Sequence, residues 1–480
     1  MHDLIIIGDD LSSHVAAAVA VNYGLDTVLV AENGAGGFQL IDDFAFNIDP
    51  TPLSGFGLNQ TCLSLLAELD IPPIEREGKL LNPAYQIILP EHRIDFFNEH
   101  EALVNEMTRE FPEDALEIKA FYESALNKCK IFTEWLHNHP YIKPLSFKDY
   151  YIFLKMLPSL LRHQLEKTKY KKLLNKNISL KKVFEAQEAL LSINIANQNS
   201  FSSSFQHCTP FRGIYSFRQG KQILFNSLIK KLESKNGLYL SNCEVLNVNK
   251  GKSISIDISA NSGNTSNISA KYLIVSTKWD SMHLLLAGKK KINFEDWIRP
   301  AKISHLPFTI HLGCARKCLP EKMAHHLAVV SDVQKSIFDN NMIILEYSMP
   351  DDEMLSADIN VPLTATVFLS TDSDQWSYEN MTSAASSIID RLEHFLPFLK
   401  ENIVYFDLDK SIELSKKSHC VYNPKYIMRR SFITGFAART NKTRFKNVYL
   451  TGASLLSDAG FEGEIISGIN AASRVISKKD

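Results

Sequence analysis

The sequence predicts an α/β protein with a parallel sheet at its N-terminus and a second, α+β region. Residues 4–8 form a continuous apolar run that ends at a glycine, which is typical of a buried parallel strand. The alanine- and valine-rich residues 15–21 predict a tightly packed helix, and residues 27–30 predict a second buried strand. A strand, a sharp turn, a helix and a second strand within about 30 residues form a βαβ unit.

The remaining elements follow from the spacing of apolar residues. Residues 60–210 carry apolar side chains three and four positions apart, which predicts a mostly helical stretch. Further along, the patterns predict strands at 238–240, 245–248, 254–258 and 272–276, a β-rich segment over 303–370, a helix over 382–399, a strand at 447–452 and a final helix from about Glu464 to Val475.

Composition limits the class of protein. A chain of 480 residues predicts two or three domains, and 45% hydrophobic with 22% charged residues is ordinary for a globular protein. The 52 basic and 54 acidic residues give a net charge of −2, which argues against a dedicated nucleic-acid binder.

Seven irregularly spaced cysteines are typical of reduced thiols in a reducing compartment. The N-terminal apolar run is too short for a signal peptide, and no stretch reaches the roughly 18 apolar residues of a transmembrane helix. We therefore expect a cytoplasmic protein, either soluble or peripheral at a membrane.

Four patches, taken in order, resemble one known family. They are the βαβ unit with its trailing Gly36-Gly37, the segment Phe-Asn-Ile-Asp-Pro-Thr at 46–51, the turn, helix and strands over 215–276, and the strand, glycine turn and helix over 447–475. In this order and spacing they are similar to the phytoene desaturase, carotenoid isomerase and retinol saturase group of amine-oxidase-like flavoproteins.

The resemblance implies a Rossmann-like FAD/NAD(P)-binding domain of the flavoprotein amine-oxidase type with an α+β substrate domain. It implies a nucleotide-binding domain made of 1–60, 213–285 and 440–480, and a substrate-binding domain made of 61–212 and 286–439. The implied activity is that of an FAD-dependent oxidoreductase that desaturates, saturates or isomerises a lipophilic polyene or isoprenoid. In such proteins the flavin supplies the chemistry.

The resemblance also implies positions of FAD contact, whereas no catalytic residue and no metal ligand is assigned. The implied cofactor-binding residues are Gly8, Asp10, Leu11, Ser13, Ala31, Glu32, Gly36, Gly37, Val245, Gly452, Ala453, Gly460, Phe461, Glu462 and Gly463.

Several of these residues depart from the family pattern. A dinucleotide fingerprint needs G-x-G-x-x-G, and the three glycine positions are here Gly8, Asp10 and Ser13. The Asp10 carboxylate would lie beside the pyrophosphate, at a helix N-terminus that binds anions through bare amides. Two like charges about 4 Å apart repel by about 1 kcal/mol in water, and by more near a protein surface.

Two acids of the pattern are also replaced. Ala31 occupies the position of the ribose-binding acid, and Glu32 can replace that acid only if the strand end bulges. Ala453 occupies the position of the acid after the final strand, and Glu464 is expected to open the last helix. Two hypotheses follow: an FAD-dependent oxidoreductase, or a flavin-free member of the fold that binds a hydrophobic group or a partner protein, as the similar Rab escort and GDP-dissociation-inhibitor proteins do.

Residues 143–182 form a basic segment. Eleven basic side chains against two acidic ones give this segment a charge of +9, so the rest of the chain carries −11. Aromatic and aliphatic residues lie between the lysines, a composition that suits a helix at an anionic membrane surface. A solvated helix over a core-facing apolar run explains the same composition.

The remaining candidates are weaker. The pairs Cys314/Cys318, His325-His326 and His419-Cys420 lack the further ligands that a metal site needs. The acidic residues 351–353, Asp372 and Asp374 are interpreted as solvated turns. In the resembled fold the substrate side of the flavin is lined by the segment that holds Tyr426, Arg429, Arg430 and Arg439.

Overall fold

The structure is a computed structural model, which describes most of the chain. The described residues are 1–480 except 35, 43, 139–146, 196–199, 218, 261–263, 287–301, 339, 348–359, 418–423, 429, 431–434 and 479–480. The strands, in chain order, are β1 His2–Ile7, β2 Thr27–Ala31, β3 Phe38–Ile41, β4 Phe44–Asn47, β5 Gly78–Leu80, β6 Tyr85–Ile88, β7 Arg93–Phe96, β8 Tyr215–Phe217, β9 Leu238–Ser241, β10 Cys243–Lys250, β11 Ile254–Ala260, β12 Thr265–Ser276, β13 Lys302–Ala315, β14 His326–Val330, β15 Met342–Tyr347, β16 Asn360–Ser370, β17 Ile403–Phe406, β18 Lys425–Ile427 and β19 Val448–Thr451.

The helices connect and cover two large sheets. In chain order they are α1 Leu11–Asn22, α2 Thr61–Glu68, α3 His100–Glu110, α4 Ala115–Asn138, α5 Phe147–Lys176, α6 Ile178–Leu191, α7 Ser203–His207, α8 Gln222–Ser234, α9 Tyr378–Phe395, α10 Leu408–Lys417 and α11 Gly460–Ile476.

The first sheet has the order β10-β11-β12-β1-β2-β9, and β19 pairs with the C-terminal half of β12. Its central strands are parallel: Ile6 of β1 lies between Leu29 of β2 and Ile274 of β12. Residues Leu4–Ile7 are fully buried because one face packs against α1, α8 and α11 while apolar residues of β10 and β11 cover the other. This arrangement explains the continuous apolar run in the sequence.

The second sheet has the order β17-β13-β16-β15-β14-β6-β7, and β18 pairs with β13. Its strands are antiparallel except for the β14–β6 pair. Apolar residues of α9 pack on one side of this sheet, and those of α3, α4 and α6 form a second cluster with β6 and β7.

Most predicted elements are present, with three differences. Strands β5, β6 and β7 lie inside the stretch predicted to be helical, because three- and four-residue strands are too short to show a period. The first helix begins at Leu11, since Asp10 caps it. The final helix begins at Gly460, so Glu464 is its fifth residue and does not open it.

The strands of the first sheet come from three separated stretches, 2–31, 238–276 and 448–451. The exact division into two domains stays a prediction. Within the described residues, no helix is both long enough and apolar enough to cross a membrane.

Candidate functional site

The candidate site is a cleft at the carboxyl ends of β1, β2 and β12, where ligands bind in open α/β sheets. The space within the cleft is about 310 Å³, including the part that is open to solvent. It is lined by Gly8, Asp9, Asp10, Glu32, Asn33, Ser276, Lys278, Trp279 and Asp280.

Asp10 occupies the turn between β1 and α1 as the N-cap of the helix. Its Oδ1 accepts hydrogen bonds from the Ser13 amide at 3.2 Å and the Ser13 hydroxyl at 2.5 Å. Its Oδ2 accepts from the hydroxyls of Ser12 at 3.0 Å and Ser276 at 2.8 Å. The side chain is only 3% exposed, so the carboxylate is fully engaged inside the protein.

Glu464 supplies a second carboxylate to the same helix end. It lies on α11 with 2% exposure, and its Oε1 accepts the Leu11 amide at 3.2 Å. The amides of Leu11 and Ser13, in the first turn of α1, therefore bind carboxylates of the protein itself. An incoming phosphate would find these donors occupied and two carboxylates beside them.

Glu32 reaches the cleft without a bulge. Strand β2 ends at Ala31, which is fully buried, and Glu32 follows in a turn. The Glu32 carboxylate accepts the Val245 amide at 2.7 Å and the Trp279 indole N–H at 2.9 Å. Glu32 therefore lines the cleft without a bulged strand end, because a turn residue is free of the alternation of a strand. Its role as the ribose-binding acid stays a prediction.

Two carboxyl groups of the cleft have a raised pKa. Burial raises the pKa of Asp9 to about 6, although hydrogen bonds from Asn33 oppose this, and the charges of Glu32 and Asp10 add to it. Burial also raises the pKa of Glu32 against the hydrogen bonds from Val245 and Trp279. Since the lining residues include four acids and one lysine, the cleft is a poor environment for a pyrophosphate.

A second predicted contact, Glu462, is held in a buried ion pair. Arg212 donates from Nε to Oε1 at 2.7 Å and from Nη2 to Oε2 at 2.5 Å, and the hydroxyls of Ser54 and Thr61 complete the shell. Burial opposes the charge of Glu462, but the adjacent guanidinium outweighs it and keeps the pKa of Glu462 below its usual value. A Cβ at Gly55 would lie 2.8 Å from the Glu462 carboxyl carbon, so this ion pair requires a glycine there.

Lys221 pairs with Asp49 in a second buried ion pair, close to the first turn of α8. Gly36 and Gly37 lie in the turn that leads into β3. The Gly37 amide donates to Gln222 Oε1 at 3.1 Å, and a Cβ there would approach the Gln222 nitrogen to 2.9 Å. This turn therefore packs directly on the start of α8.

The C-terminal candidates serve close packing. Gly452 has a φ of 139°, and a Cβ there would lie 2.1 Å from Thr277 Oγ1. Ala453 is fully buried against Ile193 and Tyr426. A Cβ at Gly460 would collide with the Leu191 carbonyl oxygen, and a Cβ at Gly463 would collide with the Leu456 carbonyl oxygen. The Phe461 ring lies beside Lys221, whose Nζ is 5.4 Å from the ring centre.

The predicted residues thus fall into two groups. Gly8, Asp10 and Glu32 line the cleft. Leu11, Ser13 and Val245 hydrogen-bond to its acids or to Glu464, and Ala31 is buried at the end of β2 beside Glu32. The other candidates lie around the buried ion pairs and the start of α11. Six further residues of these sites were not predicted from the sequence: Asp9, Ser276, Trp279, Asp280, Arg212 and Lys221. Ser276 ends a predicted strand, which is a signal for the carboxyl edge of the sheet. Arg212 and Lys221 gave no signal, since their partners lie 250 and 172 residues away.

The residues present do not fit an FAD pyrophosphate at the start of α1. The donors that would bind it are taken by Asp10 and Glu464, and the groove contains further acids. Val245 is another implied FAD contact, and its amide is also occupied, because it donates to the Glu32 carboxylate.

A second pocket lies between α4, α5 and α7, with about 280 Å³ of space including the part that is open to solvent. Its walls are Phe121, Ala125, Lys128, His163, Tyr170, Ser200, Ser203, Ser204 and His207. The His207 ring bonds Gln187 Oε1 through Nδ1 at 2.9 Å, and its buried Nε2 has no partner among the described residues. Burial lowers the pKa of His207 to about 3, so the ring is neutral.

The weaker candidates do not form a site. Among the described residues, no three His, Cys, Asp or Glu side chains come together as metal ligands. Cys314, Cys318, His325 and His326 are buried in the second sheet region, and Arg430 bonds Asp458 at 3.2 Å. Residues 351–353, 419–420 and 429 lie outside the described residues.

The chain matches no protein-family model and no curated protein sequence. It is similar to solved structures over nearly its full length. Cyclohexylamine oxidase from Brevibacterium oxydans IH-35A has a TM-score of 0.58 and 12% identity, covering 100% of this chain and 99% of that one. An oxidoreductase from Methanosarcina mazei has a TM-score of 0.56 and 11% identity over 98% and 100%.

A mutant of putrescine oxidase, from a redesign of cofactor binding, has a TM-score of 0.56 and 14% identity over 99% of both chains. At these identities the likeness concerns the fold. The chain has the Rossmann-like, amine-oxidase-type flavoprotein fold with a second, mostly antiparallel sheet, and the predicted fold class is confirmed.

Proposed function

We propose that this chain is a flavin-independent protein of the flavoprotein fold, and that it binds a hydrophobic group in its substrate region. One observation carries the proposal: the Asp10 and Glu464 carboxylates accept the Ser13 and Leu11 amides at the start of α1. In this proposal, the Rossmann-like region around the first sheet has a structural role and binds no FAD.

Energetics support this reading. A hydrogen bond to a charged group contributes roughly 1.5–3 kcal/mol, so displacing these two carboxylates from their amides is costly. A pyrophosphate beside them would add like-charge repulsion, which is several kcal/mol at an effective dielectric constant of about 20.

The cavity between α4, α5 and α7 supports the binding part of the proposal. Phe121 and Tyr170 give it aromatic walls and Ala125 an aliphatic one, while the neutral His207 offers one acceptor. Lys128, His163 and three serines complete the lining, so the pocket offers a ligand aromatic contact together with several hydrogen-bonding groups.

The cofactor half of the proposal is tested by titrating purified protein with FAD and following flavin fluorescence. Wild type is expected to show no saturable binding. The double variant Asp10→Asn/Glu464→Gln removes both charges, and we expect it to bind FAD at least about tenfold better. Asp26→Asn/Glu68→Gln is the matched control, since it removes one exposed carboxylate of each type elsewhere in the chain.

The ligand half is tested with a fluorescent isoprenoid alcohol. Ala125→Trp fills the cavity and is expected to abolish saturable binding of this probe, whereas Leu116→Trp, at an 81% exposed position of the same helix, leaves it unchanged. Equal binding by both variants would remove the cavity from the proposal.

The second candidate function is an FAD-dependent oxidoreductase acting on a lipophilic polyene or isoprenoid. It is favoured by the likeness of the fold to solved oxidases. Stoichiometric binding of FAD by the wild-type protein would support this function over the flavin-independent one.

A further inference from the structure

Helix α5, Phe147–Lys176, presents large apolar side chains to solvent. Six of the twenty exposed large apolar residues in the described part of the chain lie on this helix. They are Phe147, exposed by 96%, Tyr150 by 56%, Tyr151 by 59%, Leu154 by 60%, Leu161 by 59% and Leu165 by 83%. We call these six residues the apolar stripe.

The stripe runs along the helix, with the exposed Pro158 between Leu154 and Leu161. At 3.6 residues per turn, the six positions fall within an arc of roughly 100°. Met156, Leu160 and His163, on the opposite side of α5, are buried against the protein. The exposed residues are therefore not the core-facing side of a solvated helix, which was the alternative interpretation of this segment.

Basic side chains border the stripe and continue it. Lys155 and Arg162 lie along one edge by helical position, and Lys155 Nζ is 4.9 Å from the centre of the Tyr151 ring. Past Leu165, the same arc carries the exposed Lys169 and Lys172. Glu166, off this arc, is neutralised by ion pairs with Lys128 at 2.8 Å and Arg162 at 2.9 Å.

We propose that this outer face of α5 docks on an anionic lipid surface, with the apolar stripe in the headgroup boundary and Lys169 and Lys172 on acidic headgroups. An exposed apolar stripe combined with basic residues is the pattern of helices that lie in a membrane interface. Charge complementarity favours lipid over a second copy of the chain, since an isologous contact would bring an identical basic face to this one.

The proposal is tested by co-sedimentation of the full-length protein with vesicles of phosphatidylcholine, with and without phosphatidylserine. Binding is expected only with phosphatidylserine and is expected to weaken in high salt. Each lysine near an anionic surface strengthens binding about fivefold, so Lys169→Glu/Lys172→Glu is expected to weaken it at least 25-fold. Leu154→Ser/Leu165→Ser is expected to weaken binding roughly tenfold or more.

Matched controls change the same residue types at other exposed positions. They are Leu58→Ser/Leu116→Ser and Lys252→Glu/Lys446→Glu, and both are expected to bind like wild type. The proposal is overturned if wild type ignores anionic vesicles, or if the α5 variants bind as well as the controls. A dimer in solution that dissociates only in the leucine variant would assign the stripe to a second copy and overturn the lipid assignment.

Discussion

At the start of α1, the Asp10 side chain acts as a helix cap and as an internal anion. It accepts hydrogen bonds from the Ser13 amide and from the hydroxyls of Ser12, Ser13 and Ser276. Ser12 and Ser13 lie in the first turn of α1, and Ser276 ends β12. An alanine at this position would leave Ser12, Ser13 and Ser276 without this acceptor in a buried place.

We expect Asp10→Ala to lower the free energy of unfolding by about 2 kcal/mol, because the cap and the serine acceptor are lost together. Asp10→Asn keeps a capping oxygen and is expected to cost less. Urea denaturation of the two variants measures both values. An alanine variant as stable as the asparagine variant would contradict this role of the carboxylate.

Arg212 and Glu462 form a second residue-scale unit, with side-chain exposures of 5% and 0%. Arg212→Met leaves a buried carboxylate without its counter-ion, so we expect a loss of about 3–5 kcal/mol in unfolding free energy. The double variant Arg212→Met/Glu462→Leu removes both charges and is expected to be more stable than Arg212→Met alone. A double variant as unstable as the sum of its single variants would show that the two charges are not coupled.

At the scale of elements, α11 packs on α1 through Gly468. A Cβ at this position would lie 2.4 Å from the Ser12 carbonyl oxygen and 2.9 Å from Val15 Cβ. The two helices can approach this closely only without a side chain there.

Gly468→Ala is therefore expected to destabilise the protein by about 1–3 kcal/mol, since either helix must shift. Gly251→Ala is a suitable control because its Cβ would meet nothing closer than 3.6 Å. Thermal denaturation of the two variants compares them. Equal melting temperatures would contradict the proposed close contact of the helices.

The sequence predicted elements well where their pattern was long. The apolar run of β1, the alanine-rich α1 and the alternation in β11 each reflect the burial of successive residues within one segment. These elements could therefore be predicted from the sequence of that segment alone. The strands β5–β7 could not, since each has only three or four residues. Glu464 was misplaced because its helix begins with Gly460, whose φ of 53° is a conformation that the spacing of apolar residues does not reveal.

At the scale of the whole molecule, Glu346 of β15 joins the second sheet to the end of β4. Asn47 Nδ2 donates to Glu346 Oε1 at 2.6 Å, and Thr364 Oγ1 donates to the Asn47 carbonyl at 3.3 Å. Burial raises the pKa of Glu346 to about 8 against the Asn47 hydrogen bond, and the charge of Asp49 adds to this. The acid is therefore neutral at pH 7.

This protonation gives a pH dependence with a definite sign. The folded protein keeps the Glu346 proton up to about pH 8, whereas the unfolded chain loses it near pH 4.5, so the contribution of Glu346 to stability falls as pH rises between these values. Glu346→Gln, which resembles the neutral acid, lacks this dependence. We expect the stability of wild type relative to this variant to fall from pH 5 to pH 8, as measured by urea denaturation. A constant difference would contradict a protonated Glu346.

How the first sheet and the cleft are assembled could be predicted only in part from the sequence. The order of the four family-like patches gave the fold, and Asp10 at a fingerprint glycine position indicated an altered site. The second carboxylate at α1 could not be predicted, because Glu464 lies 453 residues from Leu11 and meets it only through the packing of α11 on α1. The same holds for Trp279, whose indole reaches Glu32 across the cleft at 2.9 Å.

The central claim is that the Asp10 and Glu464 carboxylates occupy the amides at the start of α1 and so exclude FAD. The most direct test is the flavin content of the protein as purified from cells. The protein is denatured, and the released flavin is measured by absorbance against the protein concentration. We predict a colourless protein that releases no stoichiometric flavin. One flavin released per chain would contradict the account, because FAD could then bind despite Asp10 and Glu464 at the start of α1.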